Sequence, residues 1–175
     1  MKRSRFKVQG SGKLNQRPTT NNEQRVGVVV SVNISAKKSV RKKRVGHCKI
    51  LASHGLEGDA HAGGWHRQVS LLAEESIKRM QKLGFDVGPG DFAENITTRG
   101  VDLLSLPVGA RLKIGEGITL EVTQHGKTCH TKCAIYYRVK ECIMPKEGIF
   151  AKVLKGGKIK IGDEITIFKS VIQVS

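Results

Sequence analysis

Residues 110–124, Ala110-Arg111-Leu112-Lys113-Ile114-Gly115-Glu116-Gly117-Ile118-Thr119-Leu120-Glu121-Val122-Thr123-Gln124, alternate apolar and polar side chains on either side of a glycine-bracketed turn. Successive side chains of a strand point to opposite faces, so Leu112, Ile114, Leu120 and Val122 share one face. The pattern predicts a β-hairpin over 110–114 and 118–124. Downstream, 149–154, a Gly156-Gly157 turn, 158–161 and 164–168 read as further short strands. Upstream, residues 26–34 (VGVVVSVNI) form a β-branched apolar run, expected to be a buried strand at the start of the domain. A short strand at 68–72 leads into one convincing helix, 73–83. There Ala73, Ile77, Met80 and Leu83 recur at helical spacing, acids open the segment, bases close it, and Gly84 stands at its end. Many short strands with glycine turns predict a mainly β, barrel-like domain with one or few α-helices over residues 26–169.

Aromatic residues make up only 5% of the chain against 38% hydrophobic, so Val, Ile and Leu must build the core. The net charge of +16 is unevenly placed. Residues 1–50 hold 14 of the 31 Lys and Arg and a single acid, Glu23, whereas residues 51–175 are nearly balanced. Such an end suggests attachment to something anionic: nucleic acid, a membrane surface or a phosphorylated cofactor. Residues 1–25 are expected to be a basic, disordered tail and 170–175 a short C-terminal tail. No early run is apolar enough for an export signal and no segment is long enough to span a membrane. The chain is therefore expected in the cytoplasm, where thiols stay reduced and four cysteines do not imply disulfides.

Three constellations carry chemistry. Residues 54–65 (HGLEGDAHAGGW) hold four glycines, a density suited to backbone that approaches a ligand closely. Within and after it stand Gly58, Asp59 and His61, where the carboxylate can orient the imidazole, then Arg67, whose planar fork suits phosphate or carboxylate. The competing reading is a turn in which Asp59 caps local amides. Glu94-Asn95, in an otherwise apolar strand, requires either buried partners or a ligand. The third is Gly126-Lys127-Thr128-Cys129-His130-Thr131-Lys132-Cys133, two thiols and an imidazole in a cationic frame that lowers thiol pKa values. Cys48, at the edge of an apolar segment, reads as a small core residue. The loop at 35–44 carries six bases and no acid, Lys42 and Lys43 among them, and faces either solvent or an anion.

Taken together, Gly55-Leu56-Glu57-Gly58-Asp59-Ala60-His61, His66-Arg67-Gln68-Val69-Ser70-Leu71-Leu72, Phe92-Ala93-Glu94-Asn95-Ile96, the approach from Leu106 to Gly115, the Cys129 segment and Gly162-Asp163-Glu164 resemble the MOSC domain, in the family's order from Val26 to Phe168. The strings from Cys129 to Ile135 and from Met144 to Val153 are similar to stand-alone bacterial members. The resemblance implies a barrel-containing fold and a role with the molybdenum cofactor (molybdopterin), either binding it or carrying sulfur for it. Cys129 matches the family's key cysteine and is the implied molybdenum ligand and reactive thiol, with Lys127 and Thr128 where arginine and proline are common. That departure weakens transfer of a molybdenum-dependent reductase activity, and sulfurtransferase activity stays open. Cys133 is a partner thiol that the general pattern does not require. Lys42, Lys43, Gly58, Asp59, His61, Arg67, Glu94, Asn95 and Lys127 are the residues expected around the cofactor. A cysteine desulfurase or cofactor-assembly enzyme is the implied protein partner. Pyridoxal phosphate attaches to the family only by association, and the desulfurase domain that would bind it is absent. Two rivals remain: a zinc-stabilised domain using Cys129, Cys133, Cys142 and His130 or His125, whose spacings lie outside the usual knuckles, and a basic nucleic-acid-binding module. The latter lacks the aromatic residues that stack on single strands.

Overall fold

The computed structural model describes residues 23–128, 136–137 and 142–168. In chain order the elements are β1 (Glu23–Ile34), β2 (Lys43–Val45), β3 (His47–Leu51), β4 (Gly55–Leu56), β5 (Val69–Ala73), α1 (Glu74–Lys82), β6 (Ile96–Arg99), a 3-10 turn (Leu103–Ser105), β7 (Arg111–Ile114), β8 (Ile118–His125), α2 (Met144–Glu147), β9 (Ile149–Lys155), β10 (Gly157–Lys160) and β11 (Glu164–Phe168). Seven strands close into a barrel in the order β1-β11-β7-β8-β9-β5-β6, with β6 returning to β1 and β2 appended to the far end of β1.

A closed ring with an odd number of strands cannot alternate direction all the way round. One neighbouring pair must be parallel, and here it is β5 and β6. Parallel neighbours require a crossover, and α1 with the loop after it supplies one, which explains the lone convincing helix. The crossover also explains why every residue of β5 from Val69 to Leu72 is buried. Leu71 joins the barrel interior with Val32, Ile96, Leu112, Leu120 and Val153, while Leu72 points outward into a second core with Ile77, Met80, Phe92, Met144 and Phe150.

The hairpin of β7 and β8 pairs in the expected register, Leu112 with Leu120 and Ile114 with Ile118. Elsewhere the structure departs from expectation. The glycine pair at 156–157 makes no hairpin, because β10 leaves β9 and pairs with β3 in a separate three-stranded sheet, β10-β3-β4. Gly156 permits this by close approach, since a Cβ there would lie 2.4 Å from the Ile50 carbonyl oxygen. Lys43 and Arg44, expected in a loop, belong to β2. Phe92–Asn95 precedes the strand at Ile96 instead of lying in it. Among the described residues, no helix is long and apolar enough to cross a membrane.

Candidate functional site

The loop after β1 and the glycine-rich loop after β4 meet at a buried ion pair. Lys42 Nζ lies 2.8 Å from both carboxylate oxygens of Asp59, and both side chains are 1% exposed. Asp59 also accepts the Ser35 and His61 backbone amides at 3.0 Å. Burial opposes its charge, but the nearby His61 side chain, Lys42 and these amides together hold its carboxyl well below the usual range. Burial lowers the Lys42 pKa in spite of Asp59, and the charge on Lys127 pushes the same way, which brings the start of the cysteine segment near this pair. His61 Nδ1 lies 3.5 Å from Asp59 Oδ1, at the limit of a hydrogen bond. Gly58 has φ +78° with open space around it, so glycine serves the backbone conformation that delivers Asp59. Lys43 is exposed on β2. Lys42 is thus committed to an internal partner, not to solvent.

Glu94 is fully buried. One carboxylate oxygen accepts the Gly90 amide and the Thr97 hydroxyl, while Oε2 has no partner. Burial pushes its pKa up to about 7 against these hydrogen bonds. Gly90 couples it to the ion pair, because the Lys42 amide donates to the Gly90 carbonyl at 2.9 Å. A Cβ at Gly90 would sit 2.5 Å from the Lys42 carbonyl oxygen. Asn95, just ahead of β6, clamps β5 to β1: its oxygen accepts the Ser70 amide and hydroxyl, and its nitrogen donates to the Asn33 carbonyl. Ser31 and Asn33, two positions apart on β1, extend the network to Thr97 and Glu94. They were legible only as polar residues on alternate positions of an apolar strand.

Arg67 occupies a different setting. Its guanidinium carbon sits 4.7 Å from the Trp65 ring centre and 5.7 Å from that of Phe150. Two aromatic neighbours hold the cation through cation–π attraction, yet neither can accept its in-plane N–H groups. Nε is buried without a partner among the described residues. Trp65 Nε1 donates to the His61 carbonyl at 2.8 Å, tying this stack to the Asp59 loop. His66 Nε2 lies 3.0 Å from Gln124 Oε1, and Gln124 Nε2 donates to the Gly126 carbonyl at 2.7 Å. Trp65, Gln124 and Phe150 were not singled out by sequence, because each reads as an ordinary loop or strand residue until the barrel closes.

The cysteine segment leaves β8 at Gly126, whose amide donates to the Gly148 carbonyl at 2.7 Å. Gly126 has φ +55°, and a Cβ there would stand 2.0 Å from the Pro145 carbonyl oxygen. Gly126→Ala is therefore expected to lose more than the about 1–2 kcal/mol of the left-handed conformation alone, read by urea denaturation; a loss below about 0.5 kcal/mol would contradict this anchor. Cys129 and Cys133 lie outside the described residues. Cys142 is half-buried against the second core, and Cys48 is buried, with its thiol directed at the Lys49 and Glu57 carbonyls and its pKa raised by burial. His125 Nε2 donates to the Leu106 carbonyl at 2.6 Å. Among the described residues, no three His, Cys, Asp or Glu side chains converge to hold a metal ion. Arg67 and Lys127 are cationic donors suited to an oxyanion, so the donor set fits a cofactor's phosphate, and a soft thiolate for molybdenum would have to come from the Cys129 segment.

A closed seven-stranded barrel with one helical crossover, carrying this polar cluster, defines a recognisable class. The MOSC domain model matches residues 58–166, and the chain belongs to that family, which is linked to molybdenum-cofactor biology. In fold it is similar to the YuaD protein from Bacillus subtilis, at 20% identity and a TM-score of 0.67, covering 83% of this chain and 97% of that one. It is also similar to YiiM from Escherichia coli, at 20% identity and a TM-score of 0.59, covering 83% and 71%. YiiM from Geobacillus stearothermophilus follows at 17% identity and a TM-score of 0.58, covering 86% and 77%. No curated protein sequence matches the chain.

Proposed function

We propose that this protein binds the molybdenum cofactor or carries sulfur for it, with Cys129 as the ligand or carrier thiol and Arg67 with Lys127 holding the cofactor's terminal phosphate. The observation that supports this most is the half-buried Arg67, stacked between Trp65 and Phe150 with Nε lacking an acceptor. A buried donor left unsatisfied costs about 1–3 kcal/mol, more when charged, so an anionic ligand gives that arrangement its reason. The cofactor would supply a redox-active metal with sulfur ligands. The chain supplies the grip on its phosphate and a thiol whose cationic neighbours favour thiolate. As a sulfur carrier, the Cys129 thiolate attacks the outer sulfur of a persulfide on a desulfurase. The donor's S–S bond breaks, the donor leaves as a thiolate, and Cys129 holds the persulfide without net oxidation.

Protein purified from a cofactor-competent host is expected to contain molybdenum and pterin, or to gain one sulfur by intact mass after exposure to a desulfurase with cysteine. Cys129→Ala should lose either signal, and Cys133→Ala shows whether the second thiol takes part. Arg67→Ala should weaken cofactor retention about 10- to 100-fold, the value of a charged hydrogen bond, while leaving persulfide loading unchanged. Wild-type protein with neither cofactor nor persulfide would end this reading.

A further inference from the structure

We infer that the outer face of the β3–β10 ribbon is a contact surface for the phosphate backbone of duplex nucleic acid, bound without base selection. The register of this antiparallel pair sets Lys158 opposite Lys49 and Lys160 opposite His47. Cys48, Ile50 and Ile159 point into the core, so His47, Lys49, Lys158 and Lys160 all project outward and are exposed. Like charges directly opposite each other destabilise a sheet, and nothing in the barrel requires lysine at these positions.

Seven other cations are engaged by carboxylates, although exposed Lys37, Lys38, Lys82 and Lys155 are not among them. Arg41, Lys42, Lys78, Arg79, Arg99, Arg111 and Lys152 each pair with a carboxylate. Among the described residues, Lys49, Lys158 and Lys160 do not, nor do Lys43 and Arg44, exposed on β2 just ahead of β3. A cleft of about 540 Å³ runs beside the ribbon, lined by His47, Cys48, Lys49, Glu57, Gly157 and Lys158, with Glu57 its one acid. Unpaired lysines gathered on one face, in a chain of net charge +16, are the electrostatic footprint of a polyanion partner.

The side chains on this face narrow the partner. It has no aromatic residue to stack on unpaired bases, which disfavours single strands. It has no large apolar or aromatic anchor of the kind that dominates protein interfaces, and none to insert into a lipid surface. Lysines two apart on a strand stand about 7 Å from one another, and as flexible point charges they suit phosphates rather than base edges.

Fluorescence anisotropy of a labelled duplex with the full-length chain tests this. Binding should weaken linearly in log–log terms between about 50 and 200 mM salt and be indifferent to base sequence. Lys49→Gln/Lys158→Gln should make the salt slope shallower by about 2, because each lost phosphate contact removes roughly 0.9. Lys49→Arg/Lys158→Arg, which keeps both charges, should retain the wild-type slope, and thermal melting checks that each variant is folded. Cys129→Ala should bind the duplex as wild type does, so the two proposals fail separately. The inference is overturned by absence of duplex binding at about 50 mM salt. It is also overturned by an unchanged slope in the glutamine variant, which would place the contact elsewhere, or by polyglutamate or anionic vesicles capturing the protein in preference to duplex.

Discussion

Asp59→Ala is expected to lower folding stability by about 3–5 kcal/mol, the cost of removing one partner from a buried ion pair. Lys42 would keep its burial and lose both carboxylate contacts, and the Ser35 and His61 amides would lose their acceptor. The lysine's escape is to give up its proton, which burial already favours, so the deficit should shrink as pH rises and Lys42 becomes neutral. Lys42→Met in the Asp59→Ala background should recover part of the loss, because it removes the stranded charge instead of the contact. Urea unfolding of the three proteins at two pH values checks both statements. A single-variant loss under about 1 kcal/mol, or a double variant no better than the single one, would show that the pair is not the keystone of these loops.

Glu94 sets the second large effect, with the opposite pH logic. Its folded pKa is about 7 against an ordinary 4.5, so the folded protein keeps a proton that the unfolded chain releases above 4.5. Its contribution is therefore fully present below pH 4.5, falls as pH rises to 7, and is flat beyond. At 1.36 kcal/mol per unit the window is worth about 3 kcal/mol. Glu74 runs the other way on the acid side. Arg99 first, then Lys78, hold its pKa down to about 2 against burial, so its stabilisation is present above 4.5 and is lost as pH falls towards 2. Glu94→Gln cannot titrate and should remove the decline between pH 4.5 and 7. Parallel stability–pH curves for wild type and Glu94→Gln would refute the assignment.

The barrel's strands were readable because period-two alternation is a local property of the chain. Leu112, Ile114, Leu120 and Val122 carry it openly, and α1 announces itself by apolar spacing, opening acids and closing bases. The candidate site residues were also nameable one by one, since Asp59, Arg67 and Glu94 are polar groups in places where polar groups need a reason. Their division of labour was not legible. Asp59 and Lys42 lie 17 positions apart and look like two ligand-facing charges until the fold buries them against each other. Asn95 looks like a ligand contact until Ser70 and Asn33 are seen to occupy its amide. Arg67 differs from both because Trp65, two positions before it, and Phe150, 83 positions after it, flank its guanidinium while Nε is left without an acceptor among the described residues.

By itself, then, the amino-acid order determined the β7–β8 hairpin, most of the other barrel strands, α1, the core composition and the set of polar residues worth asking about, because all of these follow from side-chain periodicity and local backbone preference. Which strands neighbour each other was decided only in three dimensions. Closing seven strands forces one parallel pair and hence the crossover over which α1 lies. Pairing β10 with β3 gathers lysines on one face, and satisfying buried charges selects which polar residues find internal partners. Those outcomes depend on contacts distant in sequence, and on desolvation, which no local pattern records.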